Sequence, residues 1–317
     1  MKMAGKRLLA HSLFLIALPV IVAWYGFSTF GAIVLVLAAL LWRVGITLSV
    51  LLFPPKVPDL ELETITISHF AEKTRWCMDR LGVAYVERPV AGIFGVLFTG
   101  RSVPQLKART GIVQSVIGNS AEILRYLWGR YSTELGDKAD FLAPTGERLQ
   151  MEKRIDRYGA HLQVWVYYHI LNDRSLALDA WGRNDASVPF WQRALLPLMF
   201  PVFRAFLKRA FRLTDEHYRS VVEKIEALLG EVEALLDDGR RSILGGDETD
   251  FVDISMASMS SLWLQPEGFA AGRAKAVLID RGRYPIQMGV DVERWSDQFP
   301  LTRTFIERLY REERLSR

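Results

Sequence analysis

The sequence contains almost no cysteine and no extended block of one charge. Cys77 is the only cysteine among 317 residues, which excludes an internal disulfide and any metal site with several cysteine ligands. The 40 Lys and Arg residues are scattered among 36 Asp and Glu residues, so the formal net charge is +4. Zinc-finger and arginine-rich patterns are both missing. We therefore expect neither a nucleic-acid partner nor a bound metal.

Apolar residues, by contrast, are concentrated near the N-terminus. Between residues 8 and 53 only His11 and Arg43 interrupt a run of apolar and small side chains. One membrane span needs about 20 apolar residues, so this run predicts two transmembrane helices, near 8–25 and 30–53. A single long tilted span and a cleaved signal peptide are the alternatives, although the apolar region of a signal peptide is only about 7–15 residues long.

The positive charges beside this run predict its orientation. Lys2, Lys6 and Arg7 precede the first span, which places the N-terminus in the cytoplasm by the positive-inside rule. Two spans then return the chain to the cytoplasm at the proline-rich linker that begins at Pro54. We expect a membrane location, with the lipid bilayer as a partner and the globular part on the cytoplasmic side.

After this linker the sequence is typical of a small α/β unit. The β-branched run Thr64–Ile67 predicts a strand, and Ala71–Leu81 predicts a helix that ends at Gly82, a typical left-handed cap residue. A second strand is predicted at Val83–Glu87. This order is the pattern of a βαβ crossover.

Two further strands and a helix complete the unit. Val103–Lys107 and Val113–Ile117 flank a Thr-Gly pair and predict a hairpin. Asn119 or Ser120 stands in the capping position of an amphipathic helix predicted at Ala121–Gly129. Long helical periodicities follow at 147–172, 189–212, 214–238 and 250–264.

Four segments of the sequence carry short motifs in a fixed order. Ser68–Arg75 is similar to a Ser-Pro-aromatic-x-x-Lys-Val-Arg helix start, and Val103–Leu106 is similar to a Val-Pro-x-Leu segment. Gly118–Leu127 resembles a Glu/Asp-Ser-x-x-Ile-x-x-Tyr-Leu element, and 244–254 resembles Leu-x-Gly-Asp followed by Thr-x-x-Asp-Ile. In this order the four segments resemble the glutathione S-transferase family, in which the proline of the second motif is cis. Each motif alone is weak, so the resemblance rests on the order of the four.

The resemblance covers about residues 62–265 and implies a fold of two domains. An α/β thioredoxin-like domain is expected over 58–132, followed by an all-α domain over 140–317. The N-terminal membrane anchor, a transmembrane helical hairpin over 1–57, would precede this glutathione transferase (GST)-like arrangement.

The resemblance also implies a catalytic residue. Ser68 matches the position at which the family places a hydrogen-bond donor to the glutathione thiolate, where the first strand ends and a helix begins. A thiolate needs such a donor and the positive potential of a helix N-terminus. A plain N-cap serine is the alternative. Ala71 stands where the cysteine-using classes have their nucleophile, which argues against a cysteine-based exchange mechanism.

Four residues are implied to bind glutathione. The backbone of Val103, before a cis Pro104, would pair with the cysteinyl main chain as an added strand does. Asn119 and Ser120, at a helix N-terminus, would bind the γ-glutamyl end, whose carboxylate suits the helix amides. Asn119 replaces the usual Glu or Asp of the family, and asparagine cannot neutralise the γ-glutamyl ammonium.

Three neighbours of Ser68 are candidate auxiliary residues: His69, Phe70 and Lys73. His69 is either a base or donor, or a structural residue beside the turn. Lys73 either aids an anion, or is solvated or engaged in a surface pair. Cys77 is expected to be a buried core residue rather than a reactive thiol.

The apolar segment 190–211 is unusual because it contains two prolines, Pro197 and Pro201, together with basic residues. It is either an interfacial helix that lies on a membrane or a kinked core helix between the two domains.

The sequence as a whole indicates a membrane-anchored, glutathione S-transferase-like protein. Glutathione would be its co-substrate, and it would conjugate or reduce a lipophilic small-molecule electrophile without a metal. Many family members pair as homodimers, so the resemblance also implies a homodimer as one arrangement of this protein. The alternative is a non-catalytic module of the same fold that binds a protein or serves as a scaffold at the membrane, so enzymatic activity is left open here.

Overall fold

The computed structural model describes residues 29–52, 57–92, 94, 103–111 and 113–314. The predicted span near 8–25 lies outside these residues. Where the second span is predicted, a helix does form, α1 (Thr29–Leu52). However, no helix in the described part of the chain combines the length and the apolar character that a membrane crossing requires. The predicted transmembrane hairpin is therefore not supported.

Four strands form one sheet in the order β2-β1-β3-β4. Their bounds are β1 Asp59–Thr64, β2 Tyr85–Pro89, β3 Gln105–Thr110 and β4 Val113–Gly118. The first strand lies five residues earlier than the β-branched run predicts, because it buries the alternating residues Leu60 and Leu62. The predicted strand residues after Thr64 instead form a turn, in which the Ser68 amide donates to the Ile65 carbonyl at 2.9 Å.

Helix α2 (His69–Leu81) joins β1 to β2 and begins where the sequence predicts a capped start. The Ser68 side chain accepts a hydrogen bond from the Ala71 amide. The helix ends at Gly82, whose φ of 71° is in the left-handed region that a Cβ atom disfavours. The βαβ unit and the following β3–β4 hairpin confirm the thioredoxin-like element order.

The rest of the described chain is helical. The helices are α3 Ser120–Leu135, α4 Gly146–Ile170, α5 Arg174–Ala180, α6 Phe190–Ala210, α7 Asp215–Leu236, α8 Phe251–Leu264, α9 Ile286–Gln298 and α10 Pro300–Leu309. Four of them confirm the helical periodicities within about three residues at each end. Asp250 and Asp253 form a capping box at the start of α8.

The described residues divide into two compact units. One contains α1, the start of β1 and Lys107–Val116, and the other contains the described residues of Leu62–Leu106 and Ile117–Arg317. In the second unit, α8 is buried along nearly its whole length and packs against α2 and α4. A buried polar cluster joins α4 and α8, since Trp263 donates to the Tyr158 hydroxyl at 2.9 Å and that hydroxyl lies 3.0 Å from Ser260.

Candidate functional site

A cleft of about 930 Å³ lies within the second unit and brings the candidate site residues together. This volume is in the range of small-molecule sites, about 300–1,000 Å³. The polar part of its lining is Ser68, His69, Asn119, Ser120, Glu122, Glu152, Lys153, Asp156, Arg157 and Gln163. The apolar part includes Phe70, Val103, Pro104, Val166, Tyr167, Ile170, Trp181, Phe206, Leu207 and Phe211.

Ser68 is the N-cap residue of α2 and also lines the cleft. Its Oγ accepts from the Ala71 amide at 3.3 Å. A hydroxyl that accepts one hydrogen bond still has its own proton to donate. That proton is available to a group in the cleft, beside the positive end of the α2 dipole.

His69 is fully buried and connects two helices. Its Nε2 donates to the Gly159 carbonyl of α4 at 2.9 Å. Burial lowers the pKa of His69 to about 4, although the hydrogen bond to Gly159 opposes this shift. The ring is therefore neutral near pH 7, and its observed contact is a structural one between α2 and α4.

This buried histidine predicts a pH dependence of stability. The folded-state pKa lies below the reference value of 6.5, so the stability that the neutral ring contributes is present above pH 6.5 and is lost as the pH falls toward 4. His69→Gln keeps a donor for Gly159 without the titration. Between pH 6.5 and 4, the free energy of unfolding should fall by about 1 kcal/mol less per pH unit in the variant than in the wild type. Urea unfolding at several pH values measures this difference. A wild-type slope in the variant contradicts the assignment, and His217→Gln on α7 is the control.

The Val103–Pro104 peptide is cis, as the resemblance implies. The Pro104 carbonyl accepts from the Asn119 amide at 3.2 Å, which places the start of α3 beside the cis proline. Asn119 caps α3 through its Oδ1, at 3.2 Å from the Ala121 amide. The backbone φ of Asn119 is 72°, which is uncommon for a residue with a Cβ atom. Strained backbone conformations of this kind cluster at ligand-binding sites.

Ser120 is the most informative residue of the cleft. It is fully buried at the first position of the 16-residue helix α3, and its Oγ has no hydrogen-bond partner among the described residues. Buried hydroxyls nearly always have a partner, so this one indicates a group that is bound from outside the chain or a bridging water. The adjacent amides of the helix N-terminus favour a negatively charged group there.

Lys73 is buried in an ion-pair cluster, so two expectations from the sequence, a solvated side chain and a surface pair, are wrong. Its Nζ is fully buried at 2.7 Å from Glu152 and 2.8 Å from Asp156, both on α4. Arg125 on α3 contacts the second oxygen of Glu152 at 3.1 Å. Burial raises the pKa of Asp156, while Lys73 lowers it. Lys73 thus fixes two acidic residues in the cleft wall.

A second buried ion-pair cluster lies on α2 and was missed by the sequence analysis. Arg75 contacts Glu87 at 2.7 Å and Glu72 at 3.7 Å. Arg314, near the end of the chain, lies 2.9 Å from Glu72 and 2.6 Å from Asp79. The Arg314 side chain is 2% exposed, so the C-terminal segment is held firmly against α2.

Cys77 has the core position that its residue type predicts. It is fully buried in α2, and burial raises the pKa of its thiol to about 12. A thiol of this kind is a poor nucleophile near neutral pH. Within the residues that the structure describes, no group of three or more His, Cys, Asp or Glu side chains could hold a metal ion.

Comparison with known proteins gives structural likenesses only. No protein-family model and no curated protein sequence match the chain. It is similar to FzlA from C. crescentus, at 16% identity over 81% of this chain and 90% of that one, with a TM-score of 0.44. It is also similar to a glutathione S-transferase from Methylobacterium radiotolerans in complex with glutathione sulfonate, at 14% identity over 81% and 93%, with a TM-score of 0.47.

A third likeness is to a glutathione transferase family member from Pseudomonas fluorescens with two glutathione bound. It is 13% identical over 81% of this chain and 91% of that one, with a TM-score of 0.45. Likenesses at this identity concern the fold and assign no activity. The element order described above is that of a GST-like fold, in which a four-stranded sheet with its helices precedes a helical part.

Proposed function

We propose that this protein is a glutathione transferase-like enzyme that binds glutathione in the cleft and uses it to conjugate or reduce a lipophilic electrophile. The observation that carries the proposal is the buried, unpartnered hydroxyl of Ser120 at the N-terminus of α3, in the same cleft as Ser68. These two helix N-termini supply positive potential at two places in the cleft. Glutathione has two negative groups that suit these positions: the γ-glutamyl carboxylate at α3 and the thiolate at α2.

The γ-glutamyl end of glutathione fits the polar part of the cleft. Its carboxylate accepts from the Ser120 hydroxyl and the first amides of α3. Its ammonium needs an acidic residue, and Asn119 provides none. Glu122 lines the same cleft and supplies that negative charge, whereas Asp156 is already paired with Lys73. The charge lost at Asn119 is thereby replaced from α3.

The thiol end lies at Ser68. The Val103 backbone beside the cis proline pairs with the cysteinyl main chain, and the Ser68 hydroxyl donates to the sulfur. The thiol proton leaves to solvent, and the thiolate forms a bond to an electrophilic carbon while the leaving group departs with its electron pair. In a reduction, a second glutathione thiolate attacks the sulfur of this conjugate, so that the sulfur–carbon bond breaks and glutathione disulfide forms. The carbon leaves with the electron pair and takes a proton from solvent. Val166, Tyr167 and the other apolar residues of the cleft hold the electrophile.

A binding or scaffold module of the same fold is the second candidate. The specific observation in its favour is Asn119, which lacks the charge that an ammonium requires. The two candidates differ in their chemistry, because the enzyme needs bound glutathione as a thiolate near neutral pH and a binding module does not.

Calorimetry with the full chain tests the glutathione site. Ser120→Ala removes a buried hydrogen bond to a charged group, about 1.5–3 kcal/mol, so we expect glutathione to bind about 10- to 100-fold more weakly. Ser132→Ala, on the same helix and outside the cleft lining, is the control and should bind as the wild type does. Equal affinity in both variants removes Ser120 from the site, and no saturable binding by the folded wild type removes glutathione itself.

We also propose a membrane location, with the globular part on the cytoplasmic side. In α1, large apolar side chains including Phe30, Leu41 and Trp42 are exposed, which suits contact with lipid. Lys2, Lys6 and the neighbouring Arg7 suit the anionic cytoplasmic leaflet. Co-sedimentation of the full chain with lipid vesicles tests this location. Pairing into a homodimer remains a prediction from the resemblance.

A further inference from the structure

Helix α6 carries an apolar stripe on the side that does not pack against the protein. Exposed residues recur at every fourth position along the whole helix: Phe190, Ala194, Leu198, Val202, Phe206 and Ala210. Phe190 is 76% exposed, Leu198 74% and Val202 58%. Residues four apart are neighbours on a helix, and a row of them is inclined to the helix axis, so these side chains form a continuous strip that winds from the outer face toward the cleft, which Phe206 and Ala210 line.

The opposite face of α6 is the one that belongs to the core. Leu196, Phe200, Phe203 and Leu207 are buried, and Phe203 contacts the Phe94 ring with centroids 5.3 Å apart. Large apolar side chains on a helix ordinarily pack against protein or lipid. Here only one side is enclosed, so the other side needs a different apolar environment.

Helix α6 runs without interruption from Phe190 to Ala210, with Pro197 and Pro201 inside it. Pro201 has no amide hydrogen for the Pro197 carbonyl, one turn earlier. Arg174 replaces that donor, at 3.0 Å from the Pro197 carbonyl. The stripe is therefore continuous on both sides of the prolines.

The charges around the stripe have one sign. Residues 189–213 contain no Asp or Glu. The cations are Arg193, Arg204, Lys208, Arg209 and Arg212. Arg204 and Lys208 both donate to the neutral Asn172 side chain, at 2.9 Å each.

We infer that this face of α6 docks the second unit onto an anionic lipid surface. An exposed apolar stripe flanked by cations is the arrangement of a helix that lies in the membrane interface. A second copy of the chain is a poorer occupant, since a two-fold contact through this face would bring the same five cations together. The stripe ends at Phe206 and Ala210, which also line the cleft, so an apolar ligand dissolved in the membrane lies close to it.

A fluorescent label on the stripe tests this docking in the full chain. Cys77 is fully buried with a raised thiol pKa, so a cysteine introduced by Leu198→Cys is the reactive thiol to label. With vesicles of phosphatidylcholine and phosphatidylserine, a polarity-sensitive label should shift to the blue and brighten. The shift should be smaller with phosphatidylcholine alone. Val290→Cys, at an exposed apolar position of α9, is the control and should not shift.

The contribution of charge is measured in the labelled protein. Arg209→Gln removes one cation near the surface and should weaken vesicle binding by the labelled face about fivefold, as expected for about 1 kcal/mol per charge. Lys275→Gln, an exposed cation outside α6, should leave it unchanged.

Two results overturn the inference. One is a label at position 198 that stays in water when the chain is bound to anionic vesicles. The other is a blue shift that appears without lipid and grows with protein concentration, which assigns the face to a second copy. Val202→Cys repeats the measurement one turn further along if the first variant does not fold. All of these results are independent of glutathione binding.

Discussion

Lys73→Met is expected to lower the free energy of unfolding by about 3–5 kcal/mol. The variant keeps most of the side-chain volume and removes the buried charge that lies between Glu152 and Asp156. Two acidic residues are then left beside each other with little solvent, and Glu152 retains only Arg125 as a partner. Chemical denaturation monitored by circular dichroism measures this loss.

Two further variants separate burial from simple loss of an ion pair. Arg154→Met breaks the pair with Glu231 on an exposed part of α4, and it should cost no more than about 1 kcal/mol. Adding Glu152→Gln and Asp156→Asn to Lys73→Met removes the uncompensated charges and should restore part of the stability. A Lys73→Met protein as stable as Arg154→Met would show that the cluster does not hold α2 to α4.

Ser68→Ala should reduce the turnover of a glutathione-dependent reaction near pH 7 by about 10- to 100-fold. The lost hydrogen bond to the thiolate is a bond to a charged group, about 1.5–3 kcal/mol. The same loss should raise the pKa of the bound thiol by about one to two units. The pH–rate profile of Ser68→Ala therefore shifts to higher pH. Its rate recovers at a pH above the raised pKa, where the bound thiol is ionised without the Ser68 hydrogen bond.

Loss of the helix cap is the competing effect, and a matched variant controls for it. Thr145 caps α4 in the same way, accepting from the Arg148 amide at 3.3 Å, and lies outside the cleft lining. Thr145→Ala should cost a similar amount of stability, about 1 kcal/mol, without moving the pH profile. An unchanged profile in Ser68→Ala would leave Ser68 with the cap as its only role.

Local sequence signals predicted much of the fold. Gly82 marks the end of α2, and the order of the short motifs predicts the crossover, the hairpin and the cis proline. Such signals depend on residues within one or two turns of each other. The first strand was misplaced because a β-branched run outweighed the alternation of Leu60 and Leu62, which only burial in the sheet makes decisive.

The buried charges could not be predicted in this way. Lys73 was expected to aid an anion, to be solvated or to form a surface pair, because charged residues are rarely enclosed without a partner. The partners that enclose charged residues of α2 are distant in the chain: Asp156 is 83 residues from Lys73, and Arg314 is 242 residues from Glu72. For Ser120, the motif indicated a binding role, but only the structure shows that its hydroxyl is enclosed and unpartnered among the described residues.

The central claim is that the cleft binds glutathione and holds it as a thiolate. The most direct measurement is the ultraviolet difference absorbance of the full chain with saturating glutathione, titrated against pH. We predict a thiolate band that is already present at pH 7, because the bound thiol has a pKa well below the value of about 8.5 for a free cysteine. Saturable binding without that band would contradict the claim and leave the protein as a binding module.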